Sequence, residues 1–174
     1  MDIYYDIIFP IDKKGYLVKS IFDSLNRKIV RLLAEDGRIS VRDIATHLGV
    51  TAPTVRSRVK NLISSGMLKI AGMINPDNHK GLITAIIGIN IQSYGKLDEA
   101  LEKLANIDQV RWVAVVTGRY DVFAEVVVFG GMAELHLLMT KVIPKIGRVT
   151  QTETFVFTKS RGKWTSMPQG LKDF

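Results

Sequence analysis

The chain has no cysteine among its 174 residues, which excludes disulfides, thiolate metal sites and cysteine nucleophiles. This suits a reducing compartment, and a cytoplasmic protein is expected. No apolar run approaches the ~18 residues that a bilayer-spanning helix needs. The first residues lack the basic-then-apolar order of a secretion signal, so no membrane partner is expected. Histidine is scarce: His47, His79 and His136 are the only three, set far apart with no paired spacing. No nucleophile–base pair, phosphate loop or metal cluster accompanies them, so no enzyme chemistry, cofactor or metal is expected. Acidic residues are missing where their absence matters most, with neither Asp nor Glu between Thr51 and Leu62.

Hydrophobic residues make up 47% of the chain, enough for a packed core. The net charge of +7 is unevenly spread. Residues 25–72 hold nine basic side chains against three acidic ones, whereas residues 83–159 hold eight of each. A polyanion would therefore be met by the first half, and the neutral second half must do something else.

The stretch from Ser40 to Leu62 reads as two short helices and a tight turn. Val41, Ile44, Ala45 and Leu48 recur at helical spacing behind an N-cap at Ser40. Gly49 supplies the positive φ that the turn requires. Thr51 caps the second helix, and Pro53 is tolerated in its first turn, where the N–H groups have no intrahelical partner. Val55, Val59 and Leu62 form its buried stripe, opposite Thr54, Arg56, Ser57, Lys60 and Asn61. Hydroxyls and guanidinium groups suit base edges and cations suit phosphates, so this is a candidate recognition helix for double-stranded DNA. Thr54, Arg56, Ser57 and Lys60 are the candidates for groove contacts, with Arg38, Thr51 and Arg58 toward phosphates. Arg58 has a second reading, as a structural partner of Asp36 or Asp43. The plain alternative for the whole stretch is a helical hairpin with a solvated basic face.

Around this hairpin the chain falls into five parts. Residues 1–21 form an extension, read as an arm or hairpin about a turn at Asp12–Gly15, or as a frayed terminus. Residues 22–74 form a winged helix-turn-helix domain. Its first helix starts at Asp23 and buries Leu25, Ile29, Leu32 and Leu33, and Met67–Ile74 supplies the wing strand. Residues 75–82 form a hinge around Asn75-Pro76-Asp77. Residues 83–159 alternate as strand 83–91, helix 96–107, strand 110–117, strand 121–129, helix 132–146 and strand 149–159. This β-α-β-β-α-β order is a ferredoxin-like sandwich, which makes the chain α+β. Helices cover one face of its sheet, and a second subunit is the simplest cover for the other. Residues 160–174 form a tail.

In that frame the chain resembles the Lrp/AsnC family of leucine- and asparagine-responsive (feast/famine) transcription regulators over roughly residues 22–159. The resemblance is carried by Phe22-Asp23-Ser24-Leu25-Asn26-Arg27-Lys28-Ile29-Val30, then Asp36-Gly37-Arg38-Ile39-Ser40, Ile44-Ala45 and Leu48-Gly49-Val50. Val55-Arg56-Ser57-Arg58-Val59-Lys60-Asn61-Leu62 and Ser65-Gly66-Met67-Leu68 follow. In the second domain Thr117-Gly118-Arg119-Tyr120-Asp121 matches the family's signature loop, and Thr152 and Thr154 match its last strand. Asn26 departs from the family's usual Asp, and residues 1–21 and the tail from Ser160 exceed its core. The resemblance implies that the second domain is the family's RAM/ACT-like effector-binding and oligomerisation domain. It also implies homodimers that assemble to tetramers or octamers, and DNA binding modulated by a small molecule, an amino acid. The implied effector residues are Gly118, Tyr120, Asp121, Thr152 and Thr154: a carboxylate for an α-ammonium, backbone N–H groups and hydroxyls for an α-carboxylate. The alternative is that Gly118 serves a tight turn while Asp121 and the threonines satisfy backbone groups. Some relatives of this two-domain layout are sirohaem decarboxylases, an enzymatic alternative that would need histidines gathered at a porphyrin pocket.

Overall fold

The computed structural model describes residues 23–92 and 94–167, so the expected arm over 1–21 and the end of the tail lie outside the described residues. The chain divides into two compact units between Ile70 and Ala71, ahead of the hinge expected at 75–82.

The first unit contains three helices, α1 (Ser24–Glu35), α2 (Val41–Leu48) and α3 (Ala52–Ser64). Each begins behind a short polar side chain that takes an otherwise orphaned N–H. Asp23 accepts from Asn26, Ser40 from Asp43 and Thr51 from Thr54. Ile29, Ile44, Ala45 and Val55 meet at the centre, with Leu25, Leu32, Leu33, Leu48 and Val59 around them. Fully burying an aliphatic side chain of this kind contributes roughly 1.5–3 kcal/mol. Without that shared stripe, helices of 12, 8 and 13 residues would be marginal in water.

The wing strand expected over Met67–Ile74 is not formed. Residues 67–73 carry no regular structure, and Ile74 pairs instead with Thr165 through N–H···O bonds of 2.8 and 2.9 Å. Local alternation cannot make a strand without a neighbour to complete its ladder. Within the expected hinge, Pro76–Asn78 is a single 3₁₀ turn.

The second unit is the expected ferredoxin-like sandwich. Its strands are β1 (Leu82–Ile91), β2 (Val110–Val115), β3 (Val122–Phe129) and β4 (Val149–Val156), with α4 (Leu97–Ala105) and α5 (Gly131–Leu137) between them. The sheet order is β2-β3-β1-β4, antiparallel throughout. The helix-facing layer sets Ala85, Ile87, Ile89, Val122, Ala124, Val126 and Val128 against Leu97, Ala100, Leu104, Leu135, Leu138 and Ile143. The helix expected over 132–146 is α-helical only to Leu137. It widens into a π turn over Leu138–Val142 and tightens into a 3₁₀ turn over Ile143–Ile146. Pro144 explains the change, since it has no N–H to donate and its ring collides with the carbonyl four residues earlier. Leu138 and Ile143 stay buried on either side of the wide turn.

Paired residues share a face, so the register puts Ile86, Gly88, Phe123, Glu125, Trp112, Glu153 and Phe155 on the side away from the helices. The tail crosses that side. Lys163 Nζ lies 2.7 and 2.8 Å from the two oxygens of the buried Glu125 carboxylate, which also accepts from Trp112 Nε1 at 2.6 Å. Ser160 donates to Asp77 through its N–H and hydroxyl, at 3.2 and 2.8 Å. Arg111 Nη1 donates to the Met167 carbonyl at 2.7 Å. Residues 160–167, for which the sequence offered no role, are thus anchored to the second unit.

Candidate functional site

The helix-turn-helix is built from its caps outward. Ser40 Oγ accepts the Asp43 N–H at 3.1 Å and donates to the Asp43 carboxylate at 2.6 Å. The carboxylate also suits the positive end of α2. Gly49 sits at φ 65°, ψ 35°, a left-handed corner from which its N–H reaches Ala45 and Thr46. Thr51 then starts α3, and its hydroxyl shares a 2.8 Å hydrogen bond with that of Thr54. Two of the candidate contact residues are therefore also the local staples of α3.

Of the others, Arg56, Ser57 and Lys60 are exposed on α3, and neither cation has an ion pair among the described residues. Arg56 and Lys60 are four residues apart, a like-charge spacing that costs an isolated helix about 0.2–0.5 kcal/mol. A local cost with no local compensation marks a surface kept for something other than folding. Arg38 is also exposed and lies 3.6 Å from Asp36.

Arg58 faces inward. Its guanidinium is paired with the Asp23 carboxylate and donates to Asn26 Oδ1 at 3.1 Å. Arg58 thus has a structural partner, although it is Asp23 rather than Asp36 or Asp43. The Arg58 hydrogen bond, with help from the Asn26 N–H, holds the Asp23 carboxyl below its ordinary range. The pair ties the start of α1 to the middle of α3, and Asn26 is part of that clasp.

The second unit does not bring its five implied effector residues together. Gly118 takes φ 126° in the loop after β2, a value that favours glycine. Tyr120 is buried, lying over Gly88 on the sheet side away from the helices, and its hydroxyl donates to Glu153. Phe123 and Phe155 flank the ring at 5.7 and 6.3 Å, and the Arg119 guanidinium sits 5.4 Å above it. Asp121 closes the end of β1: its carboxylate accepts the Ile91 N–H at 2.8 Å and its own N–H donates to the Ile89 carbonyl at 3.1 Å. Thr152 and Thr154 pair with Ile89 and Ile87, which puts them on the opposite, helix-facing side. The motif residues thus divide between the two faces of one sheet.

Sequence reasoning missed Glu125, Lys163, Glu153 and the cations near the start of β4. Glu125 had a signal: a lone carboxylate inside the apolar run VFAEVVVF can be buried only if it is paired. The three histidines fall on α2, beside Phe129 and on α5.

Comparison with known proteins fits both halves. Residues 22–63 match the AsnC-type helix-turn-helix domain, and residues 84–164 match the Lrp/AsnC ligand binding domain. An uncharacterised HTH-type transcriptional regulator from Pyrococcus furiosus is 36% identical over 83% of this chain and 96% of its own length. The regulatory protein AsnC of Haemophilus influenzae is 31% identical over 77% and 89%. Among solved structures, E. coli AsnC aligns at 26% identity with TM-score 0.64, covering 83% of this chain and 95% of that one. A feast or famine regulatory protein from M. tuberculosis, solved in complex with L-methionine, aligns at 28% identity with TM-score 0.67, covering 79% and 92%. An N-terminal helix-turn-helix followed by a RAM/ACT-like ligand-binding sandwich, matched over nearly the full length of such relatives, means that this chain belongs to the Lrp/AsnC family of transcriptional regulators.

Proposed function

We propose that the protein is a sequence-specific DNA-binding regulator of the cytoplasm whose grip on DNA is modulated by a small molecule of the amino-acid class. The observation that carries the DNA reading is the exposed, acid-free arc of Arg56, Ser57 and Lys60 on a helix fixed by its own caps. Thr54 joins them toward the groove, with Thr51 and Arg38 toward the phosphate backbone. Arg58 holds α3 in place rather than touching DNA. Copies associate through the sheet face away from the helices, where Trp112, Phe155 and Phe157 are exposed. Linked reading heads gain avidity, so each can bind modestly.

The amino-acid reading draws on the methionine-bound relative and on the Gly118–Asp121 loop. A ligand there shifts DNA affinity by its differential affinity for two arrangements of the assembly. One relative is named a transcriptional regulator and another a regulatory protein, and the chain acts by binding, without catalysis.

The test is a salt titration of operator binding with the Arg56→Ala/Lys60→Ala variant. Removing two cations from a face laid against the duplex should weaken binding and flatten the fall of log K with log salt. An unchanged slope and affinity would sink the assignment.

A further inference from the structure

A cavity of about 130 Å³ lies beside the start of α4, lined by Ile91, Lys96, Glu99, Ala100, Lys103, Ile146, Gly147 and Arg148. It has two zones. Its floor is made of the buried Ile91, Ala100 and Ile146, and its rim of the exposed Lys96, Glu99, Lys103 and Arg148. The rim carries three cations against one carboxylate. Lys103 Nζ lies 2.8 Å from Glu99 and Lys96 Nζ lies 3.4 Å from it, so the single acid is shared by two lysines. Lys103 first, then Lys96, keep the Glu99 carboxyl below its ordinary range. Arg148 has no ion pair among the described residues. It stands at φ 61°, the only positive φ outside glycine among them, a conformation uncommon for a long side chain.

We infer that this cavity binds a small organic acid, its carboxylate at Lys96 and Arg148 and a short aliphatic tail on Ile91, Ala100 and Ile146. The volume is well below the ~300–1,000 Å³ of pockets for drug-sized ligands, which restricts the occupant to a few heavy atoms. Inorganic phosphate would leave the apolar floor unused. An α-amino acid would bring an ammonium group to a rim of three cations whose one carboxylate is already occupied twice. The chemistry therefore favours the 2-oxo acid over the amino acid of the same carbon skeleton. Ile91 links this cavity to the signature loop, because its N–H is the group that Asp121 holds. The inference uses the ligand-binding role of the second unit and is independent of the DNA contacts and of an amino acid at the Gly118–Asp121 loop.

The test is calorimetric titration of the full chain, without DNA and at fixed ionic strength. Its probes are 3-methyl-2-oxobutanoate, valine and inorganic phosphate. The comparison variant is Lys96→Gln/Arg148→Gly, in which glycine accepts the backbone angle at 148 freely and Lys96 is exposed. Saturable binding of the oxo acid is expected, with valine and phosphate each weaker by about tenfold or more, and a loss of about tenfold in the variant. No saturable binding of the oxo acid overturns the inference. So does valine or phosphate binding equally well and losing about tenfold in the Lys96→Gln/Arg148→Gly variant, whereas valine binding that the variant leaves unchanged belongs to the Gly118–Asp121 loop. Oxo-acid binding that the variant leaves unchanged would place that ligand elsewhere and overturn it too.

Discussion

Replacing Gly88 with alanine tests the arrangement of the signature loop. A Cβ built on Gly88 meets Cδ2 and Cγ of Tyr120 at 2.7 Å and Cδ1 at 2.9 Å. Carbon contacts settle near 3.5–4.0 Å, so the ring must retreat by roughly 0.8–1.3 Å. It has little freedom to do so, being buried, bonded through its hydroxyl to Glu153 and flanked by Phe123 and Phe155. Overpacking of this kind costs about 1–3 kcal/mol. Against that, alanine gains about 0.4–1 kcal/mol over glycine by restricting the unfolded chain, and Gly88 lies outside the left-handed region. The net expectation is a loss of about 1–2 kcal/mol, or roughly 4–16 °C in Tm for a unit of this size. Both tryptophans of the chain, Trp112 and Trp164, belong to the second unit, so urea melts followed by tryptophan emission report on it alone. The decisive comparison is the sign. In a Tyr120→Ala background the clash is gone, and Gly88→Ala should stabilise by about 0.4–1 kcal/mol. A destabilisation of the same size in both backgrounds would refute the placement of Tyr120 over β1.

Lys163→Met should destabilise the second unit by about 2–3 kcal/mol in a denaturant melt. This is somewhat less than the ~3–5 kcal/mol for breaking a fully buried pair, because Trp112 still donates to Glu125 and Lys163 is itself 25% exposed. The Glu125→Gln/Lys163→Met double variant should recover part of that loss. The Asp23–Arg58 clasp should give the first unit a pH dependence. Asp23 is depressed when folded, so its stabilisation is complete above the ordinary carboxyl value near 3.9 and fades as pH falls below that toward the folded value. Circular-dichroism melts of wild type and Arg58→Ala should therefore differ at pH 6 and converge in strong acid. A gap that stayed constant down to pH 2 would count against the clasp.

The parts legible in the sequence were those decided by local period. The 3.6-residue stripes of α1 to α3 and the strands of the sandwich can be read from runs such as Ile83–Ile91, because burial of one side is written into every turn or pleat. Pairing across distance was not legible. Arg58 meets a carboxylate 35 residues away, and nothing near either residue says so. The Met67–Ile74 segment has a strand's alternation and no partner, so it stays irregular. The effector residues were grouped by motif, yet Thr152 and Thr154 differ from Glu153 by a single position. In a pleated strand that offset sends them to the other face. Lys163 was out of reach for the same reason, since its partner lies 38 residues back in the middle of a strand.

The π turn between Leu138 and Val142 has a consequence for how this chain can change in length. It holds one residue more than an α turn needs, and the surplus falls at the exposed Thr140 and Lys141. With one of these removed, Leu138 and the residue now at 143 stand four positions apart instead of five, and both still lie on the same side of the chain. Single-residue deletions normally ruin a helix by rotating everything beyond them. A chain lacking Thr140 or Lys141 should therefore keep the layer of side chains beneath the helix as it is.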